Sequence, residues 1–410
     1  MKKFTLFVAS ILALSFAQAN AATLEELQQQ IDSLNSQMKS LSEQQKAPES
    51  SAGDNSVKKI WDKTTIGGYG ELSYRFSKEN GNGNGGNTLD PKRIVLYVGS
   101  ELTDWITFNT ELEWEHGGSD GGAAGGISVE QAFLDFKLSR PLSIKAGVML
   151  VPLGAINLNH EPTSVNSTER PQLDQFLIPS TWQEMGAGIH GALGDKVNYQ
   201  LYAMTGLDGT RFSAASGLRE GRQDFGKDSN RNFAVTGRLE VRPLANLYTN
   251  VSFYTANSAP SGKPAAYTTI AAFDGKYSLG NFELAGEYVQ IYQDRLQSLG
   301  VSDIGHTMSG YWVEGAYHLL PKSLKTGKLA DADAILFARY SEFDTQKGTI
   351  PDPAKISGRF DRNYTTVGLV FKPTTTVAIK ADYQFYGDKR RAGEQPLDND
   401  KFEVLLGFVF

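Results

Sequence analysis

The sequence predicts an all-β protein, a 16-stranded antiparallel transmembrane β-barrel preceded by a short N-terminal coiled-coil helix. Three observations predict the barrel. From residue 64 onward, short segments alternate apolar and polar side chains with the period of a strand. The connections between these segments alternate in length. The last segment, Lys401 to Phe410, presents apolar side chains on one face, as expected of a strand that contacts lipid and pairs with the first strand.

The alternating segments are the predicted strands, and turn-forming residues separate them. The alternation is weakest in residues 266–278, and the loss of that strand would leave an odd number. The predicted strands are 65–78, 90–102, 105–116, 127–138, 142–152, 184–193, 197–206, 231–242, 247–257, 266–278, 281–292, 308–319, 332–343, 363–372, 376–387 and 401–410.

The connection lengths orient the barrel in its membrane. Bacterial outer-membrane barrels have short periplasmic turns and long outer loops. An even number of strands then puts both chain ends on the periplasmic side, and only residues 320–331 form a longer connection on that side. Short turns are predicted at 103–104, 139–141, 194–196, 243–246, 280 and 373–375, and long loops at 79–89, 117–126, 153–183, 207–230, 293–307, 344–362 and 388–400.

The N-terminus has the parts of a secretory signal peptide, predicted over residues 1–21. Lys2 and Lys3 precede an apolar run, and Ala19-Asn20-Ala21 offers a cleavage site. A membrane anchor is the alternative, but the apolar run is too short to span a bilayer.

A heptad repeat follows the signal peptide and predicts a periplasmic coiled-coil helix over residues 22–45. Such a short helix needs a partner, so we expect self-association; an amphipathic helix lying on the protein's own surface is the alternative. Residues 46–63 are rich in Pro, Ser, Gly, Asp and Lys and read as a flexible linker to the barrel domain, 64–410. The heptad core positions are Leu24, Leu27, Ile31, Leu34, Met38 and Leu41.

Composition excludes several classes of function. The 410 residues include no cysteine, which removes disulfide frameworks, thiol catalysis and cysteine-based zinc sites. The formal net charge of −6 argues against nucleic acid as a partner. No motif predicts a cofactor or a metal. The five histidines lack the spacing of a metalloprotease, because His160-Glu161 has no second histidine at the required distance.

Charged residues concentrate on one face of the predicted strands. In residues 231–242, for example, Phe233, Val235 and Leu239 share one face and Arg238 lies on the other. A 16-stranded barrel is too wide for side chains to fill, so polar inward faces predict a water-filled channel, not a two-sheet sandwich. The predicted lumen-lining basic residues are Arg75, Arg93, Lys145, Arg238, Arg242, Arg339 and Lys380, and the acidic ones are Glu71, Glu111, Glu113, Glu283, Glu287 and Glu314.

The loop 153–183 is the longest connection and the candidate pore constriction. Long loops without periodicity are usually functional or disordered, and this one carries Pro, Trp and Phe residues that can pack. Folded into the lumen it would narrow the channel; the alternative is an outer loop that covers the barrel mouth. Its candidate constriction residues are His160, Glu161, Glu169, Arg170 and Asp174. Arg211, Arg219 and Arg222 in the next long loop form either an anion funnel or a solvated outer surface.

Three motifs in this region resemble the phosphate-selective porin O/P family of bacterial outer-membrane porins. They are VPLGAINLNHEPT at 151–163, RPQLDQFLIPSTWQEMGAGIHG at 170–191 and YQLYAMTGLDG at 199–209. The resemblance runs from about Thr65 to Phe410. It implies a homotrimer of sixteen-stranded barrels with the third long loop folded inward. Phosphate selectivity in that family depends on arginine ladders, whereas the third loop here has one arginine among three acidic residues.

The sequence therefore predicts an outer-membrane porin, not an enzyme, through which small hydrophilic solutes and ions diffuse passively, with anions such as phosphate among the candidates. Its partners would be the lipid bilayer, two further copies joined through the coiled coil and the barrel walls, and the solutes. Two alternatives stay open. One is an adhesin or binding platform that acts through its outer loops, and the other is an outer-membrane barrel hydrolase with a triad assembled from separate strands.

Overall fold

The structure is a computed structural model that describes residues 62–77, 86–117, 125–223, 233–391, 393–394 and 399–410. The predicted signal peptide and coiled-coil helix, and the linker as far as residue 61, lie outside the described residues.

The sixteen predicted strands are all present, including the weakly patterned 266–278. Because each alternates its side chains between lipid and the interior, period-two patterning was enough to locate them. The strands are β1 Thr64–Ser77, β2 Gly86–Glu101, β3 Ile106–Glu115, β4 Ile127–Ser139, β5 Leu142–Leu150, β6 Gln183–Leu193, β7 Val197–Thr205, β8 Phe233–Leu244, β9 Leu247–Asn257, β10 Tyr267–Leu279, β11 Phe282–Gln293, β12 Thr307–His318, β13 Asp333–Asp344, β14 Asp361–Thr374, β15 Val377–Asp388 and β16 Lys401–Val409.

Each strand pairs antiparallel with its neighbours in sequence, and β1 pairs with β16 to close the barrel. At the seam, Gly68 and Phe410 exchange two backbone hydrogen bonds of 2.9 Å. Phe76 lies opposite Phe402 near the other end of the same pair. Closure leaves no unpaired strand edge, which is the condition for a sheet to cross a bilayer. The predicted fold class is confirmed for the barrel.

The helices are short and lie in the connections. They are α1 Leu173–Phe176, α2 Leu296–Leu299 and the 3₁₀ turns Gly209–Arg211, Arg219–Gly221, Lys322–Leu324, Gly327–Leu329, Pro353–Lys355 and Gly358–Phe360. Among the residues that the structure describes, every helix falls short of the length and apolar character needed to cross a membrane.

The outer face of the barrel is apolar. On β8, the side chain of Leu239 is 44% exposed, whereas Arg238 beside it is 3% exposed and points inward. The same alternation on β15 exposes Ile379 and Phe385 and buries Lys380. The outward face predicted from the alternation on β8 is therefore correct, β15 follows the same pattern, and this surface faces lipid.

Part of the interior is a packed apolar core, which the sequence analysis did not predict. Inward residues of β7 to β12, such as Tyr254, Ile270 and Ile291, belong to one apolar cluster with Leu153 and Trp182 of the β5–β6 connection. The loops bring apolar side chains of their own, so no water is needed to solvate this part of the wall. The prediction of polar inward faces therefore does not describe β7 to β12 as a whole.

We predict that arginine on the outward face destabilises the barrel according to depth. Leu239 lies in the middle of β8, whereas Leu244 is the last residue of the strand; both are exposed. Leu239→Arg should lower the free energy of unfolding in lipid vesicles by about 2–4 kcal/mol, and Leu244→Arg by about 0–1 kcal/mol, because only the first puts a charge deep in hydrocarbon. Urea titration of the two variants measures the difference. Equal losses would contradict the assignment of this face to lipid.

Candidate functional site

The long β5–β6 connection, residues 151–182, passes through the inside of the barrel. We call it the inward loop. It contacts strands from all sides of the ring, which a loop lying over the mouth would not do. Near its start, Gly154 accepts a hydrogen bond from Arg238 of β8 at 2.5 Å and donates one to Ser252 of β9 at 3.0 Å. Further along, Asn166 donates to Glu314 of β12 at 2.9 Å.

Gly154 is required where the inward loop first meets the wall. Its φ of +71° lies in the left-handed region, which glycine adopts without steric cost. A Cβ atom there would lie 2.4 Å from both the Glu287 carboxylate and the Ile178 side chain. Any other residue would therefore be strained at this backbone conformation and would displace the side chains of Glu287 and Ile178.

Lysine side chains of the barrel wall donate hydrogen bonds to backbone carbonyls of the inward loop. Lys380 donates to the carbonyls of Val165 and Ser167 at 2.6 and 2.9 Å. Lys372 donates to Thr163 at 2.8 Å. These contacts satisfy loop carbonyls that have no strand partner, and they supply hydrogen-bond partners to the buried ammonium group of Lys380.

Glu169 fixes the inward loop to the barrel wall through several ion pairs. Its carboxylate pairs with Arg75 of β1 and Lys401 of β16, and Lys92 of β2 lies 4.0 Å away. Burial alone would raise the pKa of Glu169, but its three cationic partners lower that pKa well below the ordinary value. Lys92 also pairs with Glu403 at 2.7 Å. The carboxylate of Glu169 thus links the inward loop to β16, β1 and β2, the strands at the barrel seam.

A charged cavity of about 530 Å³ lies between the inward loop, strands β1 to β4 and the β7–β8 loop. Charged and hydroxyl side chains dominate its lining, so water and small polar solutes can occupy it. The charged residues that line it are Glu71, Arg75, Asp90, Lys92, Arg93, Glu113, Glu115, His116, His160, Glu161, Glu169, Arg170, Arg219, Arg222 and Lys380.

Among the described residues, three of the six cavity carboxylates have arginine or lysine partners; they are Glu71, Glu113 and Glu169. Arg93 binds both oxygens of Glu71 at 3.1 Å and lies 3.7 Å from Glu113. Asp90 contacts the ring of His116 at 2.8 Å. The charge of Glu71 is therefore neutralised by Arg93 before a solute enters, whereas Glu113 shares the same guanidinium group at a longer distance.

Three cavity arginines, Arg170, Arg219 and Arg222, are bound differently. Arg170 donates to the hydroxyl of Thr181 at 2.8 Å, Arg219 donates to the carbonyl of Ser180 at 2.9 Å, and Arg222 donates to the carbonyl of Thr181. Within the part of the chain that the structure describes, each is held by neutral oxygens and not by a carboxylate. Burial, followed by the charge of Arg222, lowers the pKa of Arg219 to about 10, so it stays protonated at neutral pH.

The inward loop also buries a carboxyl pair away from the cavity. The indole nitrogen of Trp312 donates to Asp174 at 3.2 Å and to Glu287 at 3.0 Å. The backbone N–H of Ala155 donates to Glu287 at 3.1 Å. Burial raises the pKa of Asp174 to about 7, and the nearby carboxylate of Asp274 adds to the shift.

The structure brings some predicted site residues to the cavity and separates others from it. The predicted residues that line it are His160, Glu161, Glu169, Arg170, Arg75, Arg93, Lys380, Glu71 and Glu113. Arg238, Arg339, Asp174 and Glu287 are buried against the inward loop instead. Arg242 and Glu283 lie close to short turns, where Arg242 covers the Tyr248 ring and Glu283 pairs with Lys276 at 2.8 Å. Lys145 lies over the ring of Phe133, and Glu111 contacts Gln131.

Sequence reasoning missed Lys92, Glu130, Lys401 and Glu403. The last two lie on the inward face of β16, so alternation was a sufficient signal for them. Lys92 and Glu130 had no such signal. Each lies at a shift of strand register, next to Arg93 and Gln131 respectively, and both members of each pair have inward contacts. A bulge of this kind turns two successive side chains toward one face.

The fold and the cavity together define a class of protein. A closed 16-stranded barrel with an apolar outside and a charged interior cavity is an outer-membrane channel for small solutes. The model of the family described as phosphate-selective porin O and P matches residues 65–408. The chain belongs to that family, which confirms the resemblance seen in its motifs. Family and fold both point to transport.

The chain is also similar to individual proteins. An uncharacterized protein of Aquifex aeolicus (strain VF5) is 29% identical over 364 residues, covering 84% of this chain and 80% of that protein. The outer membrane channel DcaP of Acinetobacter baumannii matches with a TM-score of 0.56 at 10% identity, covering 85% of this chain and 97% of that chain. The trimer form of OmpT, an outer membrane protein of Vibrio cholerae, matches with a TM-score of 0.52 at 11% identity, covering 85% and 100%. At these identities the two structures establish the fold alone.

We predict that Asp174→Asn removes a pH dependence from the stability of the barrel. The pKa of Asp174 is raised in the folded protein to about 7, so its favourable contribution is complete below about pH 4 and is lost as the pH rises through 7. Wild type should lose on the order of a few kcal/mol across this window, at about 1.4 kcal/mol per unit of pKa difference. Unfolding titrations at several pH values measure the loss, which should be smaller in the variant by the share of Asp174, while Glu287 stays buried beside Trp312.

Asp195→Asn is the matched control, because the Asp195 side chain is 86% exposed and should leave the profile of wild type unchanged. If Asp174→Asn keeps the full pH dependence, burial of that carboxyl is not its source.

Proposed function

We propose that the protein passes small hydrophilic solutes by passive diffusion, and that the inward loop sets the width of the passage. The single observation that carries this proposal is the cavity of about 530 Å³ enclosed between that loop and the wall. Solutes would move through it unchanged, because the protein's contribution is a polar path through the bilayer and not a catalytic step.

We further propose that the passage prefers anions. After the ion pairs of the cavity are formed, its guanidinium groups at Arg170, Arg219 and Arg222 are still bound only by neutral oxygens. The cavity carboxylates of Glu115 and Glu161 oppose them. The three arginines retain donors and full charge toward a solute, so a small oxyanion such as phosphate would be favoured at this point.

We predict that the double variant Arg219→Gln with Arg222→Gln moves ion preference toward cations. Removing two of the three arginine charges that lack a carboxylate leaves the acidic side of the cavity in excess. Reversal potentials of single channels in a planar bilayer, recorded under a potassium chloride gradient, measure the change. Arg140→Gln is the control, because Arg140 pairs with Asp195 at 2.5 Å beside a short turn and is absent from the cavity lining. Equal potentials for wild type and the double variant would contradict the proposed anion site.

We also propose that the working unit is a homotrimer in the outer membrane, with residues 22–45 as a periplasmic coiled coil. The heptad repeat of those residues and the trimer form of OmpT support this proposal. The apolar barrel walls would supply further contact area between copies.

Deletion of residues 24–45 should therefore weaken the trimer without closing its channels. Trimers of the shortened chain should dissociate at a lower temperature on a semi-native gel, because one of two association surfaces is gone. Conductance per barrel should match that of wild type. Loss of the folded barrel on deletion would show that the two parts are not separable.

A further inference from the structure

Three side chains of the types that bind metals meet between the inward loop and the barrel wall. Glu111 comes from β3, Glu130 from β4 and His160 from the inward loop. One ligand atom from each lies within 4.8 Å of the other two. Glu130 is 0% exposed and His160 is 4% exposed.

The tautomer of His160 is set by its backbone contact. Its Nδ1 lies 3.0 Å from the carbonyl oxygen of Asn157, which can only accept, so Nδ1 carries the hydrogen. In the neutral ring, Nε2 then presents its lone pair toward Glu130, whose Oε1 is 2.8 Å away. A backbone carbonyl that fixes Nδ1–H is the usual outer-shell partner of a metal-bound histidine.

The contact between His160 and Glu130 does not have the alignment of a hydrogen bond. Nε2 and both carboxylate oxygens of Glu130 are buried and lack a hydrogen-bond partner among the described residues. A shared proton would align the two groups with each other. Two ligands of one cation point instead at a third position beside the line that joins them, and at ligand distances of about 2.0–2.2 Å they lie roughly 3 Å apart.

The charge around the cluster favours a cation. Glu111 has the carboxylates of Glu130, Glu161 and Glu113 as electrostatic neighbours. Arg93 lies nearby, but it donates to Glu71 and, at 2.8 Å, to the carbonyl of His160. Glu130 has His160, Arg93 and Arg170 as positive neighbours, so the negative charge that a cation would balance is mainly that of Glu111 and Glu161.

Neighbouring residues hold the ligands in place. Gln131 donates to Oε1 of Glu111 at 2.5 Å, which leaves the second oxygen of that carboxylate for a ligand. Glu130 faces inward because β4 shifts register between Val129 and Gln131. Bulges often re-aim a side chain in this way beside functional sites.

We propose that Glu111, Glu130 and His160 form a binding site for a divalent transition-metal ion, with Zn²⁺ as the best fit. One imidazole nitrogen and two carboxylate oxygens are zinc ligands, and three protein ligands leave a coordination position for water. The bound ion would clamp the inward loop to two adjacent strands. This inference does not depend on the solute that the channel carries.

The test is metal binding by the full-length protein, purified in detergent without a histidine tag and stripped with a chelator. Calorimetric titration should show one Zn²⁺ per chain. Glu130→Gln and His160→Gln should each lower the affinity at least roughly 100-fold, since changes even in the outer shell cost about 10–100-fold. His190→Gln is the control, because His190 forms an aligned 2.9 Å hydrogen bond with Asp135 on the barrel wall. It should bind Zn²⁺ as wild type does.

Two results would overturn the proposal. One is the failure of wild type to bind Zn²⁺ at one ion per chain, which would make the contact of His160 with Glu130 a simple ion pair. The other is undiminished binding by folded Glu130→Gln. Should the variants not fold, X-ray absorption of Zn²⁺-loaded wild type decides: scattering from one imidazole and from oxygen ligands supports the site, and the lack of imidazole scattering rejects it.

Discussion

The anchorage of one long loop to the inner wall is the constraint on which the interior of this barrel depends. The wall side chains of a 16-stranded barrel cannot fill its lumen, so the loops that fold inward determine the structure of the interior. Here the inward loop enters, and charged groups fix it. Glu169 joins strands on both sides of the barrel seam, while wall lysines and arginines donate to loop carbonyls. Irregular backbone is tolerated inside a membrane protein only when its polar groups are satisfied in this way.

That anchorage divides the interior into two environments. On one side, apolar residues of the loop pack against inward residues of β7 to β12 and exclude water. On the other side, the loop stands away from the wall and leaves the charged cavity. The same segment therefore provides rigidity through its apolar face and solute chemistry through its polar face. A loop held this firmly would keep the arginines of the cavity at fixed positions, which is what electrostatic discrimination between solutes requires.

Most of the fold could be predicted because each strand is recognisable from its own residues. Lipid on one side and a polar or packed interior on the other force a period of two on every strand, and each segment carries that pattern by itself. The cavity was less predictable. Arg93 and Glu113 follow the alternation and were found, whereas Lys92 and Glu130 lie at bulges, where one extra residue reverses the predicted face. Asp174 was grouped with the cavity residues, but the path of the loop buries it beneath Trp312.

The sequence by itself determined the number of strands, their order, and the family motifs of the inward loop. These depend on neighbours in the chain and on contact with lipid. Only the tertiary structure decided which charges meet. Glu169 contacts Lys401, which lies 232 residues away in the chain. His160 contacts Glu130, which faces inward because of a bulge that hydrophobic periodicity does not reveal. Pairing across a closed barrel depends on the path of the loop in space, and no local pattern encodes that path.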